Sequence, residues 1–204
     1  MTTIASPTMG EQVAEPAPRA KAHIPGEPGV WIFIFGDMIV FAVLFGVFMY
    51  YRAKQPALFD RSQSELHRSF GGINTLLLRT SSLCVVTGVR AIRAGMRRVA
   101  PAMIAAALMC GTAFLVNKGL EWSDLLIHGH RPATNNFFMY FFVLTGIHAF
   151  HLLIGMGVLT TLFVFSRKKT LSNLQLALVE GGGCFWHMVD LLWIVLFALL
   201  YLIH

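Results

Sequence analysis

Hydrophobic residues run along this chain in five long blocks, roughly Val30 to Tyr51, Ile73 to Ala94, Val99 to Leu120, Phe137 to Phe165 and Gly181 to Ile203. Each approaches the ~20 residues that an α-helix needs to cross a bilayer. The second block is the weakest, because Arg79, Thr80, Ser81 and Ser82 interrupt it. The pattern predicts an all-α fold, an integral membrane bundle of five transmembrane helices. Polar connections separate the blocks at Arg52 to Gly72, Glu121 to Asn135 and Arg167 to Val179.

The chain divides at the first block. Residues 1–29 begin with a Pro-, Ala- and polar-rich stretch, MTTIASPTMGEQVAEPAPRAKAH, that lacks the apolar core of a signal peptide. It is expected to be a flexible cytoplasmic tail, followed by a membrane-surface bend at IPGEPG. Residues 30–204 form the membrane domain. With 204 residues, 56% of them hydrophobic, and a mean hydropathy of +0.65, the chain is one small membrane domain rather than a soluble one.

Charge sets the expected orientation. The net charge of +6 does not imply a nucleic-acid partner, since the basic residues are strung between hydrophobic blocks instead of clustering on a polar domain. One side collects Arg19, Lys21, Arg90, Arg93, Arg97, Arg98, Arg167, Lys168 and Lys169; the other has Arg52, Lys54, Arg61, Arg68, Lys118 and Arg131. The asymmetry predicts a multi-pass protein of a bacterial inner membrane with its N-terminus in the cytoplasm and His204 on the periplasmic side. Cys84, Cys110 and Cys184 lie inside the blocks without CxxC spacing and read as small buried apolar residues.

Candidate chemistry rests on polar residues inside the apolar blocks. In CFWHMVDLLWIVLFALLY, His187 and Asp190 share one helix face, which Glu180 and Cys184 continue. FFVLTGIHAFHLLIGMGVL sets His148 and His151 three apart, and Asp37 lies in the first block. A rise of about 1.5 Å per residue brings Asp37, His148, His151, His187 and Asp190 into one layer in the cytoplasmic half of the membrane. Arg79 falls about 9 Å below the opposite surface, where it either pairs with Glu121 or snorkels outwards.

Three readings of the layer stay open. Imidazoles on facing helices suit a haem or metal site, although the paired Glu-x-x-His elements of a di-iron bundle are absent. The same residue types serve a proton pathway, but no chain of acids crosses the membrane. The third reading is a buried polar network, or a lipid cleft, that locks helices together or holds a headgroup. As one network, its members should lose less stability in pairs than the sum of single losses. Trp186 and Trp193 share a face suited to packing against a helix or a partner chain, while Trp31, Trp122 and Tyr201 read as interface anchors.

Several motifs resemble subunit III of the haem-copper oxidases. WHMVDLLWIVLFALLY, from Trp186 to Tyr201, is similar to that family's last-helix signature Trp-His-Phe-Val-Asp-x-x-Trp. His148-Ala-Phe-His151 with Gly155 resembles its His-Gly-x-His-x-x-x-Gly segment, and NTLLLRTSS resembles its Asn-Thr-x-x-Leu-x-x-Ser-Ser helix, with Arg79 as a departure. Asp37 takes the place of an intramembrane glutamate, and Glu121-Trp122 fits a Glu-aromatic pair. Five helices exclude the seven-helix mitochondrial type. HIPGEPGVWIFIFGDM and TNNFFMYFFVLTGIHAFH look most like the NorE-type accessory subunit of nitric oxide reductase, with subunit III of a cytochrome c or quinol oxidase as the alternative.

The resemblance implies a respiratory-chain subunit without catalytic residues that binds no cofactor itself. Haem and metal would belong to a catalytic partner subunit. The implied role is assembly, stability and lipid binding, with phospholipid held in a cleft between helix groups.

Overall fold

The computed structural model describes residues 28–168 and 170–203. The expected tail and surface bend at 1–29 lie outside the described residues except for Pro28 and Gly29, as does His204. The described chain forms α1 (Pro28–Lys54), α2 (Pro56–Ser64), α3 (Arg68–Arg93), α4 (Val99–Ile127), α5 (Asn136–Ser166) and α6 (Asn173–Phe197). A π-helical turn, Ala198–Leu202, prolongs α6. All five long helices are apolar enough to cross a membrane, so the fold is the expected all-α bundle.

The helices outrun the hydrophobic blocks because their ends are built from polar residues that hydropathy does not register. Much of the connection expected at Arg52 to Gly72 is helical: α2 packs Phe59 against Phe48 and Phe137. Buried Arg52 donates to Gln63 at 3.2 Å and Asp60 at 2.9 Å. Helix α6 starts at a capping box, in which Ser172 and Gln175 satisfy each other's backbone N–H. Asn135 caps α5 by accepting from the Phe138 N–H at 2.9 Å. Helices α3 and α4 end at Gly95 (φ 69°) and Gly129 (φ 85°), left-handed positions that close the last turns with bonds from Met96 to Ala91 and from His130 to Leu125.

Helices α3, α4, α5 and α6 form a ring in which each packs on the next, and α1 leans on α5 and α6. Burial follows this placement: 61% of the apolar window of α6 is buried inside the chain, against 17% for α1. Small residues permit the close approaches. A Cβ on Gly155 would stand 2.8 Å from the Trp186 ring, and one on Gly182 would stand 2.6 Å from Val158. Trp186 and Trp193 are both buried, so the face they share looks into the bundle rather than towards a partner chain. Gly155→Ala should cost about 1–3 kcal/mol by overpacking and lower the thermal midpoint in detergent. Gly157→Ala, whose Cβ would meet nothing within 4 Å, should leave the midpoint unchanged.

Candidate functional site

The expected single polar layer resolves into separate groups, each tying a particular pair of helices. Between α1 and α5, His151 Nε2 lies 3.4 Å from Asp37 Oδ2. His151 Nδ1 is 2.8 Å from the Ile147 carbonyl. A carbonyl only accepts, so Nδ1 is the donor to it, and Nε2 is the nitrogen that faces Asp37. Between α3 and α6, His187 Nδ1 bonds Ser82 Oγ at 2.6 Å, and Arg79 donates to Asp190 at 3.3 Å. Trp193 donates to Thr75 at 3.1 Å on the same seam.

His148 belongs to neither group. It is fully buried, edge-on to Phe114 at 5.7 Å and tilted over Trp193 at 5.3 Å. Neither of its ring nitrogens has a hydrogen-bond partner among the described residues. Depth also changes with the helix bounds. His151 is the midpoint of α5, and His187 lies at the centre of the span that ends with the π-turn. Asp37 is one turn from the midpoint of α1. These groups therefore sit near the middle of their helices rather than in one half.

The expected Arg79–Glu121 pair gives way to two different partnerships. Helix α3 begins at Arg68 instead of near Ile73, which moves Arg79 towards mid-helix and beside Asp190. Glu121 instead accepts from Lys118 at 2.7 Å and from the Tyr201 hydroxyl at 2.5 Å. Lys118 also donates to Tyr201 at 3.1 Å, and its ammonium lies 4.6 Å from the Phe141 ring centroid. All three side chains are buried. Sequence reasoning placed Lys118 outside the membrane and Tyr201 at an interface. The signal that could have joined them is the i, i+3 spacing of Lys118 and Glu121, which puts opposite charges on one face of a helix.

This arrangement can fasten helices, because each partnership removes a polar group from hydrocarbon while bridging two elements. Among the described residues no three His, Cys, Asp or Glu side chains converge as metal ligands would. The three cysteines are free and partly buried.

Fold and site together define a small integral membrane protein in which several intramembrane polar side chains pair across helix seams. The chain belongs to the cytochrome c oxidase subunit III family, whose model matches residues 66–204. It is 31% identical over 176 residues to cytochrome c oxidase subunit 3 of Synechocystis sp., covering 86% of this chain and 74% of that one. It is 28% identical over 174 residues to cytochrome bo(3) ubiquinol oxidase subunit 3 of Buchnera aphidicola subsp. Acyrthosiphon pisum, covering 85% and 84%. A protein of Aeropyrum pernix named heme-copper oxidase subunit I+III matches at 26% over 180 residues, 85% of this chain but 22% of that relative.

The geometry generates two tests. Lys118→Leu should cost about 3–5 kcal/mol, since it strands Glu121 in a buried site, whereas the paired Lys118→Leu, Glu121→Leu change should cost far less. Thermal unfolding of the purified chain in detergent measures both. His151→Ala and His187→Ala should each cost about 1–2 kcal/mol. Their partners, Asp37 and Ser82, are not shared, so the double variant should lose the sum of the two rather than the lesser loss expected of one network.

Proposed function

We propose that this chain is subunit III of a terminal haem-copper oxidase, a non-catalytic membrane subunit that assembles with and stabilises the haem-bearing catalytic subunit. The observation that carries this reading is the family match across residues 66–204, joined to relatives named as cytochrome c and ubiquinol oxidase subunits. The fused subunit I+III relative adds support, because one polypeptide there carries both parts in its name. An accessory subunit of nitric oxide reductase, suggested by two stretches of sequence, gives way because these relatives are named as oxidases.

The polar groups inside the bundle suit a subunit that does no chemistry, since most are engaged with one another. Haem and metal belong to the partner in this reading. Orientation rests on the basic residues gathered at the α3–α4 and α5–α6 turns, and it strengthens once Lys118 is removed from the opposite count. The N-terminus then lies in the cytoplasm and the C-terminus in the periplasm of a bacterial inner membrane. Phospholipid is the ligand we assign to the cavity of 430 Å³ between those turns, whose lining includes Lys168, Arg97 and Arg93, the last also paired with Glu180 at 3.3 Å; this basic lining suits an anionic headgroup.

Affinity capture of the tagged chain from native membranes in mild detergent should bring down a haem-containing subunit and an oxygen-consuming activity. Capture of a complex that reduces nitric oxide and consumes no oxygen would restore the nitric oxide reductase reading. A preparation without haem would defeat both.

A further inference from the structure

Beyond its first turns, helix α6 is mostly buried, with its openings gathered largely on one side. Its partly or fully exposed positions include Cys184, His187, Leu191 and Val195, a stripe at helical spacing. On one flank, α3 contacts α6 through Ser82–His187 and Arg79–Asp190. On the other, α1 meets it through Val30 against Gly181 and Phe33 against Phe185. The stripe is thus the floor of a groove between α1 and α3.

Arg79 stands on the α3 wall of this groove with its side chain 57% exposed, while its partner Asp190 is buried. It lies eleven residues from Arg68 in a 26-residue helix, about 16 Å along it, close to the middle of a hydrocarbon layer of about 30 Å. From that depth a guanidinium does not reach either surface. Acyl chains offer it no acceptor, and a charged side chain facing lipid at mid-bilayer is strongly disfavoured. Guanidinium carries five N–H donors. Asp190, through a single 3.3 Å contact, is the one acceptor of an Arg79 hydrogen bond among the described residues. The apolar side chains beside it are also open: Leu76 is 70% exposed, Leu83 65% and Leu191 50%. A surface with an apolar rim and central unsatisfied donors matches a protein helix that brings its own acceptor.

We propose that the groove between α1 and α3, floored by His187 and Leu191, is the docking surface for a transmembrane helix of the haem-bearing subunit, and that Arg79 donates to a carboxylate or carbonyl oxygen of that helix. This rests on the oxidase-subunit reading above and assigns it a face.

Photocrosslinking in the assembled complex tests the face. A benzophenone amino acid at Leu83 or Leu191 should capture the haem-bearing subunit, and the same probe at Met109 on α4 or Phe150 on α5, exposed elsewhere at 68% and 61%, should not. Capture from Met109 or Phe150 but not from Leu83 or Leu191 overturns the face while leaving the partner reading intact. Capture of a second copy of this chain from Leu83 overturns the choice of occupant. Absence of any haem-bearing product from all four positions removes the partner reading itself, and this proposal with it.

A second measurement separates docking from a purely internal role of Arg79. Arg79→Leu should lower the haem recovered with the tagged chain by at least about tenfold. The double change Arg79→Leu, Asp190→Leu should stay as low, because the partner's acceptor is still unmatched. Recovery restored in the double variant would mean that Arg79 only neutralises Asp190, and would overturn the proposal.

Discussion

The ion pair between Lys118 and Glu121 is the constraint around which the bundle is organised. Two opposite charges at 2.7 Å, sealed among apolar side chains, are tolerable only while both persist and while their remaining donors and acceptors are met. Tyr201 meets them, accepting from Lys118 and donating to Glu121. The far end of α6 is thereby held against α4, the helix diagonally across the ring. The π-helical turn that precedes Ile203 places Tyr201 in the bundle, at no exposed surface. With α6 held there, its glycines and tryptophans meet α5 and α4: Gly182 against Val158, Trp186 against Gly155 and Gly111.

Water is absent from the hydrocarbon layer, so a polar side chain placed there must bind another part of the protein or face a cavity. The partnerships here divide by seam: His151 with Asp37 for α1, Ser82 with His187 and Arg79 with Asp190 for α3, and Lys118, Glu121 and Tyr201 for α4. Helix α1 has the smallest buried share of the five spans and relies on the His151 contact and on aromatic packing such as Phe41 edge-on to His151 at 5.4 Å. The polar ties therefore specify neighbours, while apolar packing and small residues set how closely those neighbours approach.

Much of this was legible in the amino-acid order, and the failures have physical causes. Five spans followed from hydropathy, because length and apolar content are what the bilayer selects. The helix ends did not follow, since residues such as Arg68 and Ser172 are polar for reasons of capping and surface anchoring that a hydropathy window cannot see. That shift displaced Arg79 by more than a turn and gave it the wrong partner. Depth arithmetic puts the histidines and aspartates in one layer, but depth says nothing of azimuth. His148 and His151 are three apart, yet one faces Trp193 and the other Asp37. Lys118 was the clearest loss: a lysine near the end of an apolar block looks like a surface anchor until its face of the helix is known.

A membrane subunit has two sets of contacts to satisfy, those that fold it and those that join it to something else. Internal ties use up Lys118, Glu121, His151 and Ser82 within the chain. Arg79 is different, because a guanidinium can hold Asp190 with one donor and still present others outwards. One residue can then couple the two tasks. By pairing with Asp190 on the buried side it secures the seam between α3 and α6, and by facing the groove it exposes a strongly polar demand on a largely apolar surface. The cost of leaving that demand unmet in lipid is what makes such a surface selective, since a hydrophobic helix of the right shape but without an acceptor would cover the groove and still leave the charge unsatisfied.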